Sequence, residues 1–241
     1  MKKINIYISF ILLVLTTAHF GRAYGQTTVQ VVTKTMAGEE KWAPGMRLEI
    51  NGENAEIHCE AHAAKTILYE VHLVAKHTDK KQAERDLKKQ KWVKGMQGKK
   101  LLMRNYIELA QDDKRPESNL KAIYHIKVPE ACPVDINNYF GQIIVKNIIG
   151  EINIDSEFTN ISLMNTRGTI NIGSRLGDIS GETVDGEIEI RSNRSNVDLT
   201  GISGSLTLDV VVARIKLDKL GEITAINIGA EKSEVSTLNI K

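Results

Sequence analysis

The chain has 241 residues and a nearly balanced charge, with 32 Lys and Arg residues, 30 Asp and Glu residues and a formal net charge of +2. So small a net charge argues against a protein that binds nucleic acid through its overall charge. Beyond the N-terminus, no apolar run approaches the roughly 20 residues that a membrane-spanning helix needs, so we expect no transmembrane segment in the mature chain.

The N-terminus has the features of a secretory signal peptide. Two lysines, Lys2 and Lys3, precede an apolar run from Ile4 to Leu15, and a small-x-small site follows at Ala23-Tyr24-Gly25. A basic start, a short apolar segment and such a cleavage site are typical of exported proteins. We therefore predict a signal peptide over residues 1–25 and a mature protein in the periplasm, at the cell surface or outside the cell.

Residues 26–131 alternate apolar and polar side chains in several stretches, which predicts strands. One stretch differs: Asp79 has the features of a helix N-cap, and the residues after it favour a helix over about 79–93. This segment belongs to a basic region, residues 76–104, that could bind an anionic surface, with Trp92 at its centre. The alternative is a solvated helix with Trp92 packed on the sheet.

The sequence HCEAH within this region is a candidate metal site. If residues 55–62 form a strand, alternation turns Cys59 inward and His58, Glu60 and His62 outward. On the next predicted strand His72 also faces outward, so the right pairing would complete a set of ligands. Imidazole and carboxylate groups bind zinc or copper. The alternative is an ordinary solvated strand face.

Residues 132–241 repeat a short pattern, which is clearest in GEINI, GTINI, GEIEI and GSLTL. In a register taken from Gly150 in steps of nine residues, ten units place residues two and four positions after the first, and nineteen of these twenty positions are aliphatic. The pairs are Val134/Ile136, Ile143/Val145, Ile152/Ile154, Ile161/Leu163, Ile170/Ile172, Ile179/Gly181, Ile188/Ile190, Val197/Leu199, Leu206/Leu208 and Ile215/Leu217. Such alternation predicts short strands with one buried face.

Two units make one coil of about 18 residues, because neither unit could bury its apolar face alone. The sequence therefore predicts an all-β protein: a parallel β-solenoid over residues 132–241, with residues 26–131 as a β-rich capping region that contains one helix. Outward residues at the same spacing would form polar ladders. These are Gln142, Asn160, Asp178, Asn196 and Arg214 on one sheet and Glu151, Thr169, Glu187 and Ser205 on the other.

Two other β architectures fit the repeat less well. An antiparallel sandwich of hairpins would favour Asn-Gly or Asp-Gly turns, and only Asp185-Gly186 fits such a turn. A calcium-binding roll needs paired glycines and an aspartate at a fixed place in every unit, whereas Asp178 and Asp198 do not recur in register.

The segment YHIKVPEACPVDINNYFGQIIVKNIIGEINI resembles the putative-adhesin family of bacterial secreted proteins. The resemblance rests on Val128-Pro129, which ends a strand, and on units led by glycines such as Gly141, Gly150 and Gly168. It covers roughly residues 40–220. It implies a β-strand-repeat fold and a binding role, and it brings no catalytic residues to this chain.

The chain contains two cysteines, Cys59 and Cys132. In an oxidising compartment they could form a disulfide that joins the capping region to the first repeat unit. The alternative is two separate buried thiols, since a free cysteine behaves as a small apolar residue.

Little in the repeat suggests catalysis. Glu187 and Glu189 share a strand face, but no neighbouring group in the sequence would tune their acidity, and no histidine follows His125. We find no cofactor-binding motif. We therefore predict a non-catalytic secreted envelope or surface protein that binds a surface glycan or an envelope protein and no nucleic acid. The alternative is a metal-binding or polysaccharide-acting envelope protein.

Overall fold

The structure is a computed structural model that describes residues 28–111 and 113–238. The predicted signal peptide, residues 1–25, lies outside the described residues. The elements in chain order are β1 (Gln30–Lys41), β2 (Arg47–His62), β3 (Thr66–His77), α1 (Lys80–Lys89), β4 (Gln90–Gln97), β5 (Lys100–Ile107), β6 (Asn119–Pro129), β7 (Val134–Lys146), β8 (Ile152–Arg175), β9 (Ile179–Asn193), β10 (Val197–Val211), β11 (Arg214–Asp218), β12 (Ile223–Glu231) and β13 (Glu234–Leu238).

The strands form one mixed sheet. Its main path runs β1-β3-β6-β2-β7-β8-β9-β10-β11-β13, while β12 pairs with β10 and β4 pairs with β5, which also pairs with β2. The pairs β1/β3, β3/β6 and β4/β5 are antiparallel. The strand β2 lies between β6 and β7 and is parallel to both. Antiparallel and parallel strands therefore belong to the same hydrogen-bonded sheet.

The prediction of a parallel β-solenoid with a separate cap is wrong. The described strands form an open sheet that mixes parallel and antiparallel pairs. The strands are also longer than the nine-residue units, and β8 alone has 24 residues. Alternation reports which face of a strand is buried, and that face is the same whichever direction the partner strand runs. The boundary between residues 131 and 132 stays a prediction.

From β7 to β10, neighbouring strands pair in parallel with partners that lie 18 residues apart in the sequence. Val134 pairs with Ile152, and Ile170 pairs with Ile188. The nineteen aliphatic residues that the repeat predicted to face inward are all buried. They join the inward side chains of β2, β3 and β6 in a single hydrophobic core. The outward side chains of the same strands are consequently held at fixed spacing across the sheet.

The predicted helix is present as α1, but it is shorter than expected. The side chain of Asp79 accepts a hydrogen bond from the backbone N–H of Lys81 at 2.8 Å, which caps the first turn. The helix ends at Lys89, because Gln90 begins β4 and pairs there with Ile107 of β5. Trp92 packs against the hydrophobic core.

Candidate functional site

The outer face of β2, β7, β8 and β9 carries a long polar groove, which we call the ladder groove. Two adjoining hollows of about 630 and 470 Å³ form it, and both are lined by Asn137, Asp155 and Gly173. The other lining residues are Glu49, Asn51, Gly52, Glu53, Arg104, Asn105, Asp135, Asn138, Tyr139, Asn153, Ile154, Ser156, Glu157, Asn171, Ile172, Ser174, Arg175, Glu189 and Arg191.

Strand alternation and parallel register explain why these side chains meet. Each groove residue lies between buried neighbours of the same strand, as Asn153 lies between Ile152 and Ile154. The parallel register then places Asn51 beside Asn137. Residues that are far apart in the sequence therefore form continuous rows across the sheet.

Amide side chains are hydrogen-bonded to one another along these rows. The Nδ2 group of Asn137 donates to Oδ1 of Asn51 at 2.8 Å. In the next row, Asn153 donates to Asp135 at 2.8 Å, and Asn171 donates to Oδ1 of Asn153 at 2.9 Å. Each bond fixes a side chain that would otherwise rotate in solvent, so the groove surface is ordered before any ligand arrives.

Most charged groups along the groove are paired. Arg47 contacts Asp135 at 2.6 Å and Glu151 at 3.2 Å. Asn153 and Arg47 both donate hydrogen bonds to Glu151 and hold the pKa of that carboxyl below its usual value. Further ion pairs join Lys100 to Glu49, Arg175 to Glu157 and Arg191 to Glu189.

A gap interrupts the rows at Gly173. The residues at the corresponding positions of the preceding strands are Asn137 and Asp155, so glycine leaves the space of one side chain empty in the middle of the groove. Within the described residues, the carboxylate of Asp155 has no hydrogen-bond or ion-pair partner. An open floor beside an unpaired acceptor is a place where a ligand can bind.

Three aromatic side chains form a cluster at one end of the groove. The rings of Phe140 and Phe158 are stacked, with centroids 4.5 Å apart and planes 9° apart. The ring of Tyr139 lies edge-on to both, at 4.6 and 5.7 Å, and 46% of the residue is exposed. Tyr139 lines the groove, so it presents a rigidly held aromatic surface there.

The proposed metal ligands do not all converge. The rings of His58 and His72 both lie next to His125, with centroid distances of 5.1 and 5.8 Å. His62 lies four residues further along β2 and bonds to the carbonyl of Thr66 at 2.7 Å. Glu60 accepts a hydrogen bond from Asn147 at 3.3 Å. Among the described residues, no group of three or more His, Cys, Asp or Glu is arranged to hold a metal ion.

His125 is the member of this cluster that our sequence reasoning missed. Its neighbours Tyr124 and Ile126 are buried, so alternation alone places His125 on the outer face. What the sequence did not show is that β6 lies between β2 and β3, which brings His125 between His58 and His72.

We expect this cluster to make stability depend on pH. Loss of water around the ring, and then the charges of His58 and His72, lower the pKa of His125, although Glu70 and Glu56 oppose the shift. An unfolded histidine titrates near about 6.5. As the pH falls below that value, the unfolded chain takes up a proton that the folded chain resists, so stability decreases.

The measurement is the urea midpoint of unfolding between pH 8 and pH 5. The His125→Gln variant is expected to show a shallower pH dependence than the wild-type chain. The His62→Gln variant, whose ring lies outside the cluster, is expected to keep the wild-type dependence. Equal slopes for His125→Gln and the wild-type chain would contradict the expectation.

Both cysteines are buried free thiols. Burial raises the pKa of Cys132 to about 12. Burial, followed by the charge of Cys132, also raises the pKa of Cys59, which places the two groups close together. Their bridging stays a prediction.

No helix within residues 28–111 and 113–238 is long and apolar enough to cross a membrane. No family model matches the chain, and no match was found among curated proteins.

Several solved bacterial structures resemble the chain over most of its length. A putative cell adhesion protein from Clostridium sporogenes is 12% identical, covers 87% of this chain and 100% of its own, and has a TM-score of 0.38. A putative adhesin from Bacteroides fragilis is 12% identical, with coverages of 86% and 97% and a TM-score of 0.35. A putative lipid binding protein from Parabacteroides distasonis is 13% identical, with coverages of 86% and 97% and a TM-score of 0.31. These likenesses are too weak to carry an argument, so the function is argued from the groove itself.

Proposed function

We propose that this chain is a secreted, non-catalytic protein of the cell envelope that binds another macromolecule through the ladder groove. The observation that carries the proposal is the gap at Gly173, where an empty space adjoins the unpaired carboxylate of Asp155 inside an otherwise ordered polar surface. The predicted signal peptide and the resemblance to the putative-adhesin family support an address in the periplasm, at the cell surface or outside the cell.

The geometry favours binding over catalysis. The groove is open to solvent along its length, whereas an enzyme that transfers groups between bound molecules gains from excluding water. A general acid would need a raised pKa. The carboxylate of Glu189 is instead paired with Arg191, and a hydrogen bond from Lys100 lowers the pKa of Glu49. An ordered surface across several strands suits an extended ligand.

The Gly173→Gln variant tests the proposal because it fills the gap without disturbing the backbone. A Cβ atom at Gly173 would meet its nearest neighbour, Oδ1 of Asp155, at 3.3 Å, and the next atoms lie 3.9 Å away. We expect the variant to fold normally and to lose at least tenfold in affinity for washed cell envelopes of the producing organism, measured by cosedimentation.

The matched control is Gly95→Gln on β4. A Cβ atom at Gly95 would meet no atom within 4 Å, so the same side chain is added at a site away from the groove. We expect wild-type retention on envelopes and a wild-type melting temperature. Unchanged retention of Gly173→Gln would contradict the proposed function.

A further inference from the structure

We infer that the ligand of the ladder groove is a neutral oligosaccharide, with one sugar ring stacked on Tyr139 and neighbouring hydroxyl groups bonded above Gly173. This inference rests on the proposed function and deepens it. Four observations carry it: the charge of the lining, the free hydrogen-bonding groups, the aromatic cluster and the position of the groove on the sheet.

The charge of the lining disfavours anionic ligands. Six carboxylates and three guanidinium groups line the two hollows, so the net charge of the lining is negative. Two of the guanidinium groups, those of Arg175 and Arg191, are already paired with Glu157 and Glu189. Uronate or sulfated glycans, nucleic acids and anionic lipids would all be repelled. A ligand without charge avoids this cost.

The free polar groups match hydroxyl groups. Asp155 offers a carboxylate that accepts no hydrogen bond from the described residues. Asn137 uses its Nδ2 group on Asn51 and keeps its Oδ1 free. Arg104 is exposed, makes no ion pair with a described carboxylate and lies over the ring of Tyr106. A sugar hydroxyl both donates and accepts, so vicinal hydroxyls can satisfy acceptors and a donor placed in this way.

The aromatic cluster provides the other half of sugar recognition. A pyranose ring has an apolar face of C–H groups, which packs against an aromatic surface. Tyr139 is half exposed, and the stacked pair of Phe140 and Phe158 holds it from behind. Because the ring is already immobilised, binding loses little conformational entropy. The backbone of both phenylalanines is left-handed, with φ of +64° and +52°, an unfavourable conformation for bulky residues. The cluster is therefore maintained despite local strain.

The position of the groove disfavours an extended peptide. Peptides that bind sheets usually add a strand at an edge, where backbone N–H and C=O groups are free. The ladder groove lies on the face of paired strands, so β7 is bonded on both sides, to β2 and to β8. Side chains alone are left to make hydrogen bonds, as they do with a glycan.

The experiment is titration calorimetry with defined probes. The neutral probes are oligomers of β-linked glucose, α-linked mannose, galactose and N-acetylglucosamine, and the acidic probe is oligogalacturonate of the same length. We expect at least one neutral oligomer to bind and oligogalacturonate to bind at least tenfold more weakly. Binding of none of the neutral oligomers, or tighter binding of oligogalacturonate, would overturn the inference.

Two variants locate the ligand. Tyr139→Ala and Asp155→Asn are each expected to weaken the neutral oligomer at least tenfold without lowering the melting temperature by more than a few degrees. The control is Val212→Ala, which removes a half-exposed apolar side chain from a similar left-handed position, φ +56°, outside the groove. If Val212→Ala weakens binding as much as Tyr139→Ala does, the stacking role is wrong.

Periodate treatment separates this inference from the proposed function. Periodate cleaves the vicinal diols of envelope glycans and leaves most protein partners able to bind. If Gly173→Gln loses retention on envelopes while periodate has no effect on the wild-type chain, the groove binds a macromolecule other than a glycan, and only this inference fails. If neither change affects retention, the proposed function fails as well.

Discussion

Replacing Ile170 with aspartate is expected to lower the free energy of unfolding by about 4 kcal/mol, because it buries an unpaired charge. Ile170 has 0% of its surface exposed and pairs with Ile188 on β9, which is also buried. The neighbouring inward residues are aliphatic, so no cation is available to compensate the carboxylate. Urea denaturation followed by circular dichroism measures the loss.

The control for this substitution is the adjacent residue. Thr169 is exposed on the outer face of the same strand, opposite Glu187. Thr169→Asp adds the same charge in water, and mild repulsion from Glu187 is expected to cost less than about 1 kcal/mol. If the two variants lost stability equally, the assignment of inward and outward faces on β8 would be wrong.

The faces of the strands were predictable from the sequence because alternation is a direct record of burial. Every aliphatic position of the nine-residue register is buried, from Val134 on β7 to Leu217 on β11. One predicted outer ladder is also present. The side-chain oxygens of Asn160, Asp178 and Asn196 each accept a hydrogen bond from the backbone N–H of the residue 18 positions later.

The partners of the N-terminal strands were not predictable. The strand β2 pairs with β6 on one side and with β7 on the other, and the alternation of the three sequences is compatible with several other orders. The direction of pairing depends on connections and packing beyond each strand, which a one-dimensional pattern does not record. The mixed sheet therefore replaced the predicted solenoid.

The candidate site was only partly predictable for the same reason. Asn137 and Asp155 occupy equivalent positions in the repeat, but Asn51 and Arg104 come from strands outside it. Gly173 looked like an unremarkable residue within a strand, since its importance comes from the side chain that it lacks beside Asp155. A site made of a gap and of distant neighbours leaves no local motif.

Gly186→Ala is expected to lower the free energy of unfolding by about 3 kcal/mol or more, because it combines backbone strain with a clash between main chains. Gly186 has a left-handed φ of +118°. An added Cβ atom would lie 2.2 Å from the carbonyl oxygen of Gly168 on the neighbouring strand. Gly168 meets Gly150, and Gly204 meets Gly186, at the same 2.2 Å. This close stacking of main chains explains why glycine recurs every 18 residues.

Gly95→Ala is the control that separates this effect from the general consequence of replacing glycine. A Cβ atom at Gly95 meets nothing within 4 Å, and its φ lies outside the left-handed range. We expect a change within about 1 kcal/mol, because alanine restricts the unfolded chain without straining the folded one. Urea midpoints for the two variants test the difference. A Gly186→Ala chain as stable as Gly95→Ala would mean that β8 and β9 can separate at this point, and close main-chain stacking would then no longer account for the glycine repeat.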